Sequence, residues 1–195
     1  MDLGLSVKWA TFNVGATKPE EYGDYFAWGD TEPKSNYSWD TYKYCNGSPS
    51  TLTKYCSTSS YGYNGYTDTK TVLDLEDDAA SVNWGGSWRM PTRAEQDELR
   101  NTSNCTWEWT TLNGINGYKV TSKKSGYAGN WIFLPAAGYR NDTGLYNVGS
   151  DGRYWSSSLR TSNPNYAYDL SFYSSDRYTY YDYRCHGQSV RPVCP

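Results

Sequence analysis

Apolar and polar residues alternate at the start of the chain. Leu3, Leu5, Val7 and Trp9 occupy every second position, which predicts a β-strand with one buried face. The next segment, EYGDYFAWGD at 21–30, predicts a second aromatic strand or a tight turn. Nine Trp and 21 Tyr among 195 residues indicate a core built largely from aromatic side chains.

Residues 31–71 are mostly Tyr, Ser, Thr, Asn and Gly, with little periodicity. This composition predicts a long insertion of loops, which its aromatic side chains attach to the body of the protein.

One helical region is predicted, from Leu73 to Asn101. An acidic run begins it, and carboxylates favour the positive end of a helix dipole. A calcium site is the alternative interpretation, but it needs oxygen ligands from several segments, so helix capping is favoured. Within the region, Thr92 and Glu95 have the spacing of a capping box. The acidic run consists of Asp74, Glu76, Asp77 and Asp78.

The remainder of the chain has the patterns of strands and turns. The segments 104–114 and 117–126 predict a hairpin, and the apolar run Trp131 to Leu134 predicts a central buried strand. A second pair of strands is predicted around Ser174 to Arg177, followed by SVRPV.

This second pair holds seven tyrosines between Tyr166 and His186. Leu170 and Phe172 have the parity of core positions, which predicts that their neighbours of opposite parity face solvent. The residues predicted to face solvent are Asp169, Ser171 and Tyr173. Tyr166 and Tyr168 share the core parity, so only a bulge or a strand end would expose them.

The residue types in this segment suggest molecular recognition. Tyr with Ser and Asp is typical of antibody combining sites. Tyr, Ser, Asp, Arg, Thr, Cys and His can also all be reached from an Asn codon of the form AAY by changing only its adenines. The alternative is an ordinary exposed hairpin whose composition reflects strand propensity, which explains Tyr and Thr better than Asp, Ser and Arg.

Length and charge limit the possibilities further. The chain suits a single domain, residues 1–195. Its net charge of −3 gives no basic patch for nucleic acid, and no apolar run approaches the roughly 20 residues of a membrane span. Nothing like a signal peptide precedes Asp2, which suggests a mature or excised domain. Five cysteines leave at least one unpaired, and Cys45 and Cys56 are either a disulfide or buried thiols.

Four phrases carry a resemblance to a known family: WGGSWRMPTRAEQDEL, IFLPAAGYR, GRYWSSSL and GQSVRPV. They resemble bacterial C-type-lectin-like domains of the formylglycine-generating-enzyme type, and most closely the Bacteroidales variable proteins of diversity-generating retroelements. Gln96 stands where the family usually has an apolar residue. The resemblance implies an α+β C-type lectin fold with two helices, a small twisted, mostly antiparallel sheet and long loop insertions.

In that retroelement branch, a reverse transcriptase miscopies a template at adenines, and the copy replaces a C-terminal coding segment, here about 146–186. The resemblance therefore implies a variable ligand-binding surface on a constant scaffold. Gly152, Trp155, Leu170, Phe172, Arg184, Gly187, Val190 and Arg191 would belong to the scaffold. The implied ligand-binding residues are Tyr146, Asp151, Arg153, Tyr166, Tyr168, Asp169, Ser171, Tyr173, Ser174, Asp176, Tyr178, Tyr180, Tyr181, Asp182, Tyr183, Cys185 and His186.

The expected function is recognition of an unknown macromolecular ligand, a protein or a glycan, at the cell surface or after secretion. No enzyme activity, cofactor or metal is expected. A non-diversified carbohydrate-binding lectin is the main alternative, although the Asn163-Pro164-Asn165 segment is more simply a turn. A formylglycine-generating-type copper oxidase is less favoured, because Cys185 and Cys194 lack the surrounding motif.

Overall fold

The computed structural model describes residues 1–195 and is mostly β. Strands take up 35% of the chain and helices 13%. The predicted α+β class and its lectin arrangement are therefore wrong: the two predicted helices are present, but the chain forms four small antiparallel sheets in place of one. The helices stay short because Gly85, Gly86 and Pro91 interrupt the predicted helical region.

Ten strands form these sheets, which pair β1 with β10, β2-β3-β4, β5 with β6, and β7-β8-β9. Their bounds are β1 Lys8–Trp9, β2 Cys105–Leu112, β3 Ile115–Ser122, β4 Trp131–Pro135, β5 Tyr139–Asn141, β6 Gly144–Tyr146, β7 Asp151–Leu159, β8 Tyr166–Tyr173, β9 Asp176–Tyr183 and β10 Val193–Cys194.

Two α-helices occupy the predicted helical region, α1 at Ala79–Trp84 and α2 at Arg93–Arg100. Asp78 caps α1 by accepting from the backbone N–H groups of Ala80 and Ser81, as the capping interpretation predicts. The capping box of Thr92 and Glu95 at the start of α2 is confirmed. Four 3₁₀ turns lie at Trp39–Thr41, Ser59–Tyr61, Tyr63–Gly65 and Leu75–Asp77.

The two predicted hairpins are confirmed, whereas other predicted strands are shorter or differently placed. Asn113 and Gly114 both have positive φ, which is the requirement for the two-residue turn joining β2 to β3. The strand β4 lies at the edge of its sheet and not at the centre, yet Ile132 and Leu134 are buried. At the start of the chain only Lys8–Trp9 pairs as a strand.

Two large hydrophobic clusters fix the sheet β7-β8-β9. The first contains Leu170 and Phe172 from β8 with Leu99 from α2. The second contains Ala167 from β8 and Trp155 from β7. Because β8 contributes to both clusters, this strand is buried on both of its faces.

Arg184, directly after β9, attaches the loops of 31–71 to this sheet, as predicted for their aromatic residues in general. Its guanidinium is completely buried and donates to the Tyr42 hydroxyl at 2.8 Å. It also donates to the carbonyl oxygens of Lys54, Tyr55 and Pro164. None of the helices has both the length and the apolar character needed to cross a membrane.

Candidate recognition surface

The β8–β9 hairpin carries most of the predicted site residues. Its strands pair from Tyr166 with Tyr183 to Tyr173 with Asp176, so a two-residue turn at Ser174 and Ser175 joins them. Since β8 lies between β7 and β9, β9 is the edge strand. The side chains of β9 therefore have space to spread around an open edge.

The tyrosine rings of the hairpin form a continuous array around this edge. Tyr166 and Tyr183 stack with ring centroids 4.6 Å apart, and Tyr180 and Tyr181 stack at 4.8 Å. Tyr166 meets Tyr181 edge-on at 5.3 Å, which joins the two stacks. Tyr178 meets Tyr180 at 5.8 Å and extends the array towards the hairpin turn, where Tyr173 follows. These separations are those of favourable aromatic pairs.

A second hairpin, β5–β6, extends the array at its other end. The His186 ring lies 5.5 Å from that of Tyr183 and 6.1 Å from that of Tyr139, and Tyr139 stacks on Tyr146. We call these nine rings together the tyrosine surface: Tyr139, Tyr146, Tyr166, Tyr173, Tyr178, Tyr180, Tyr181, Tyr183 and His186.

Arginines stack on several of these rings. The guanidinium carbon of Arg160 lies 3.6 Å from the ring centroid of Tyr181, and that of Arg153 lies 3.8 Å from Tyr139. Sequence reasoning missed Arg160 and Tyr139. The cross-strand pairing of Tyr139 with Tyr146 was the available signal for Tyr139, since facing aromatic residues stabilise a hairpin.

A polar cluster lies beneath the tyrosine surface. Asp182 accepts from Arg153 at 2.6 Å and contacts the Nδ1 atom of His186 at 2.9 Å. Gln188 donates to Asp169 at 2.9 Å and, at 3.3 Å, to Asp182. The amide of Gln188 thereby joins two carboxylates, one on each strand of the hairpin.

The two carboxylates have opposite pKa shifts. Burial, together with the charge of Asp182, raises the pKa of Asp169 to about 7. Burial also acts to raise the pKa of Asp182, but the hydrogen bond and charge of His186 and the charge of Arg153 hold it below its ordinary value. The cluster consequently carries one firmly ionised carboxylate and one that exchanges a proton near neutral pH.

Four predicted ligand-binding residues are buried, so the prediction that they face a ligand is wrong. Asp169 and Ser171 point away from solvent because the β8 strand is covered on both faces, and the simple parity argument assumed one open face. Asp182 belongs to the polar cluster beneath the rings. Cys185 packs among buried aromatic residues, where burial raises the pKa of its thiol to about 12.

The remaining predicted residues lie at or near the surface. Those that are exposed are Tyr146, Tyr173, Ser174, Asp176, Tyr180 and Tyr183; those that are half-buried are Asp151, Arg153, Tyr166, Tyr168, Tyr178, Tyr181 and His186. Tyr166 and Tyr168 lie near the first end of β8 and are partly exposed there. Their core parity made a strand end one of the two ways in which they could reach the surface.

Other predicted features have structural roles. The carboxylates of Asp74, Glu76 and Asp77 lie within 4.8 Å of one another, but the ammonium of Lys54 contacts all three of them. All five cysteines are unpaired, so the alternative of buried thiols holds for Cys56. Asn163 to Asn165 form a turn.

Comparison with known proteins adds a partial family match. A family model described as "Domain of unknown function (DUF8237)" matches residues 123–193. This segment runs from before β4 into β10 and includes the β8–β9 hairpin. No curated protein and no solved structure matches the chain.

Proposed function

We propose that this chain is a ligand-binding protein of the cell surface or the extracellular space, and that its tyrosine surface engages a macromolecular ligand without catalysis. The observation that carries the proposal is the unbroken array of nine rings, in which Tyr146 and Tyr180 are 47% and 46% exposed. Exposed aromatic patches of this extent mark interaction sites, and buried tyrosines dominate the binding energy of many interfaces.

The support beneath the rings strengthens the proposal. Stacking between rings, the arginines on Tyr139 and Tyr181, and the polar cluster each restrict side-chain rotation before a ligand arrives. A surface ordered in advance loses less conformational entropy on binding. None of the nine rings belongs to the two hydrophobic clusters that hold β8, so they are not needed to fill the core.

We further propose that the surface is diversified by a retroelement. Its exposed members at 146–186 are residue types that adenine changes in an AAY codon produce, and their rings lie at an edge where other side chains would be accommodated. The gene provides the test. A near-copy of the coding segment for about 146–186, differing only at adenines and lying beside a reverse transcriptase gene, is the expected finding. Its absence from the neighbouring DNA would contradict diversification and leave the binding proposal standing.

Binding is tested with the double variant Tyr180→Ala/Tyr181→Ala on arrays of glycans and of cell-surface proteins. We expect every target bound by the unmodified chain to be lost by this variant. The matched control is Tyr63→Ala/Tyr66→Ala, which removes two exposed tyrosines far along the chain from the tyrosine surface. If targets are retained by Tyr180→Ala/Tyr181→Ala but lost by Tyr63→Ala/Tyr66→Ala, recognition lies outside the tyrosine surface.

The oxidase alternative gains no support from its two candidate thiols. Cys185 lies in the buried aromatic cluster beside Tyr42, whereas Cys194 lies in β10, opposite Lys8 of β1. A copper site requires two thiolates that converge, and the raised pKa of Cys185 disfavours its thiolate.

A further inference from the structure

The two edges of the sheet β7-β8-β9 differ in their backbone hydrogen bonds. An edge strand presents a row of N–H and C=O groups that need partners. At the outer edge of β7, other segments of the chain supply those partners along the whole strand. The bonds join Gly138 N–H to Asp151 C=O, Ser189 N–H to Arg153 C=O, Trp155 N–H to Ser189 C=O, Ser157 N–H to Pro91 C=O, Leu73 N–H to Ser157 C=O and Leu159 N–H to Thr71 C=O, at 2.7–3.1 Å.

The outer edge of β9 has no such cover. Even-numbered residues here point their backbone groups towards β8, because the Arg184 N–H, directly after β9, donates to the Asn165 C=O at 3.0 Å. In an antiparallel pair the alternate residues then point outwards. Thr179 and Tyr181 are the outward residues in the middle of β9, and their two N–H and two C=O groups have no hydrogen-bond partner in the protein.

The outward N–H groups at the two ends of β9 are satisfied within the chain. Aspartate side chains accept from them, and the last outward C=O of the strand accepts from the segment that follows. The stretch without partners is therefore centred on Thr179 and Tyr181. The bonds at the ends join Arg177 N–H to the Asp176 carboxylate at 2.7 Å, Tyr183 N–H to the Asp182 carboxylate at 2.8 Å and His186 N–H to the Tyr183 C=O at 2.9 Å.

The usual protections of an edge strand are missing from this stretch. β9 pairs with β8 at eight positions without a bulge, and its sequence, DRYTYYDY, contains no Pro or Lys. The helix α2 contacts β9 from a face of the sheet, where Asp97 accepts from the Thr179 hydroxyl. Tyr180 and Tyr181 leave opposite faces of the strand and stack on each other, so that rings border this edge from both faces.

We propose that the ligand of the tyrosine surface is a polypeptide, and that an extended segment of it pairs with β9 at Thr179 and Tyr181 as a fourth strand of the sheet. Alternate residues of a strand point their N–H and C=O groups to the same side at a spacing of about 7 Å, which is the pattern that these two residues present. The hydroxyls of a glycan have no such fixed alternation of donors and acceptors. Side chains of the added strand would project to the same two faces as the rings and contact them.

This pairing separates affinity from specificity. Backbone hydrogen bonds do not depend on the identity of side chains, so they persist when residues of the tyrosine surface change, whereas the rings select among ligand sequences. The inference rests on the proposed function and specifies its partner as an extended polypeptide.

The test obtains its probe from a display library of short linear peptides of random sequence, selected on the whole chain. Each backbone N–H of one selected peptide is then replaced in turn by N-methyl, which removes the donor and keeps the side chain. We expect an alternating pattern. At every second residue of the paired stretch, N-methylation should weaken binding by about tenfold or more, and at the residues between by about twofold or less.

A variant of β9 tests the same bonds from the protein side. Thr179→Pro removes the outward N–H, and an edge strand tolerates proline where that group faces solvent. The matched control is Thr179→Val, which keeps the N–H and removes the hydroxyl that contacts Asp97. We expect Thr179→Pro to weaken peptide binding by about tenfold or more, and Thr179→Val by about twofold or less. Far-ultraviolet circular dichroism shows whether each variant is folded; if Thr179→Pro is not, the N-methyl series on the unmodified chain decides the question.

Three results would overturn the proposal: a library that yields no binding peptide, an N-methyl series without alternation, or a folded Thr179→Pro variant that binds as tightly as Thr179→Val. The proposed function fails separately. If Tyr180→Ala/Tyr181→Ala loses the peptide and the series shows no alternation, the tyrosine surface stands and strand pairing is rejected. If this double variant keeps the peptide and the series alternates, strand pairing stands and the tyrosine surface is rejected.

Discussion

The loops of 31–71 and the β8–β9 hairpin are both rich in tyrosine, yet they use it in opposite ways. In the loops, the rings of Tyr37, Tyr42 and Tyr55 are buried. Their hydroxyls donate to the backbone carbonyl oxygens of Tyr25 and Trp28 and to the carboxylate of Asp77. In the hairpin, the rings contact one another and remain partly open to solvent.

The difference shows that tyrosine content does not distinguish a core from a binding surface. What distinguishes them is the partner of the hydroxyl. A buried phenol must satisfy its O–H within the protein, whereas a ring at a sheet edge leaves that donor to water or to a ligand. The buried loop tyrosines, unlike the exposed Tyr63 and Tyr66, should therefore govern stability, and the hairpin tyrosines should govern binding.

The largest expected effect is loss of a loop tyrosine. Tyr42→Ala removes a buried ring, its 2.7 Å hydrogen bond to the carbonyl of Trp28, and the acceptor for Arg184. We expect the free energy of unfolding, measured in urea, to fall by about 3–5 kcal/mol. Tyr42→Phe keeps the ring and should cost about 1–3 kcal/mol, the penalty for unpaired polar groups. A Tyr42→Ala variant as stable as the original chain would contradict the assignment of a stabilising role to the buried loop tyrosines.

A smaller loss is expected for Asp77→Asn, which tests the polar anchor of the loops. Asp77 accepts from Lys54 at 2.6 Å, from Tyr55 at 2.7 Å, and from Tyr44 and Lys43. Burial opposes ionisation, but these hydrogen bonds hold the pKa of Asp77 well below its ordinary value. We expect the substitution to cost about 2 kcal/mol at neutral pH.

The same residue fixes the sign of the response to acid. A depressed pKa in the folded state contributes stability above the unfolded pKa near 4, and this contribution is lost as pH falls through the folded pKa. The difference in unfolding free energy between Asp77→Asn and the original chain should therefore shrink below about pH 4. A constant difference down to pH 2 would contradict the role assigned to the carboxylate.

The sequence predicted much of the local structure and less of its assembly. Alternation and turn residues indicated both hairpins, and spacing indicated the capping box at Thr92 and Glu95, because these features depend on neighbours in the chain. The fold class was wrong because the glycines at 85–86 shorten the helices and the sheets remain separate. Neither outcome can be read from local periodicity.

In the candidate site, too, local features were predicted from the sequence and contacts between distant segments were not. The aromatic residues of β9 were identified from composition, but Asp169 and Ser171 were misassigned, since nothing in the β8 sequence reveals that both its faces are covered. Tyr139 and Arg160 were missed because they reach the surface from other segments. Three-dimensional juxtaposition, such as that of Arg160 with Tyr181, carries no signal in one sequence.

The polar cluster beneath the hairpin predicts a pH dependence opposite to that of Asp77. The pKa of Asp169 is raised to about 7 in the folded state. Its protonated form is therefore favoured by folding, and stability falls as pH rises from about 4 to about 7, by at most about 1.4 kcal/mol per pH unit. Asp169→Asn should remove this decline in the unfolding free energy between pH 4 and 8. A variant that declines as steeply as the original chain would exclude Asp169 as the group responsible.

The smallest expected effect on stability comes from the tyrosine surface itself. Tyr180→Ala/Tyr181→Ala removes a stacked pair at a sheet edge and leaves both hydrophobic clusters intact. Surface substitutions usually change stability by about 0.5 kcal/mol or less each, so the double variant should lose under about 1 kcal/mol. Urea unfolding beside Tyr63→Ala/Tyr66→Ala provides the measurement. A loss approaching that of Tyr42→Ala would mean that the hairpin rings stabilise the fold as the loop rings do, and the distinction between the two regions would fail.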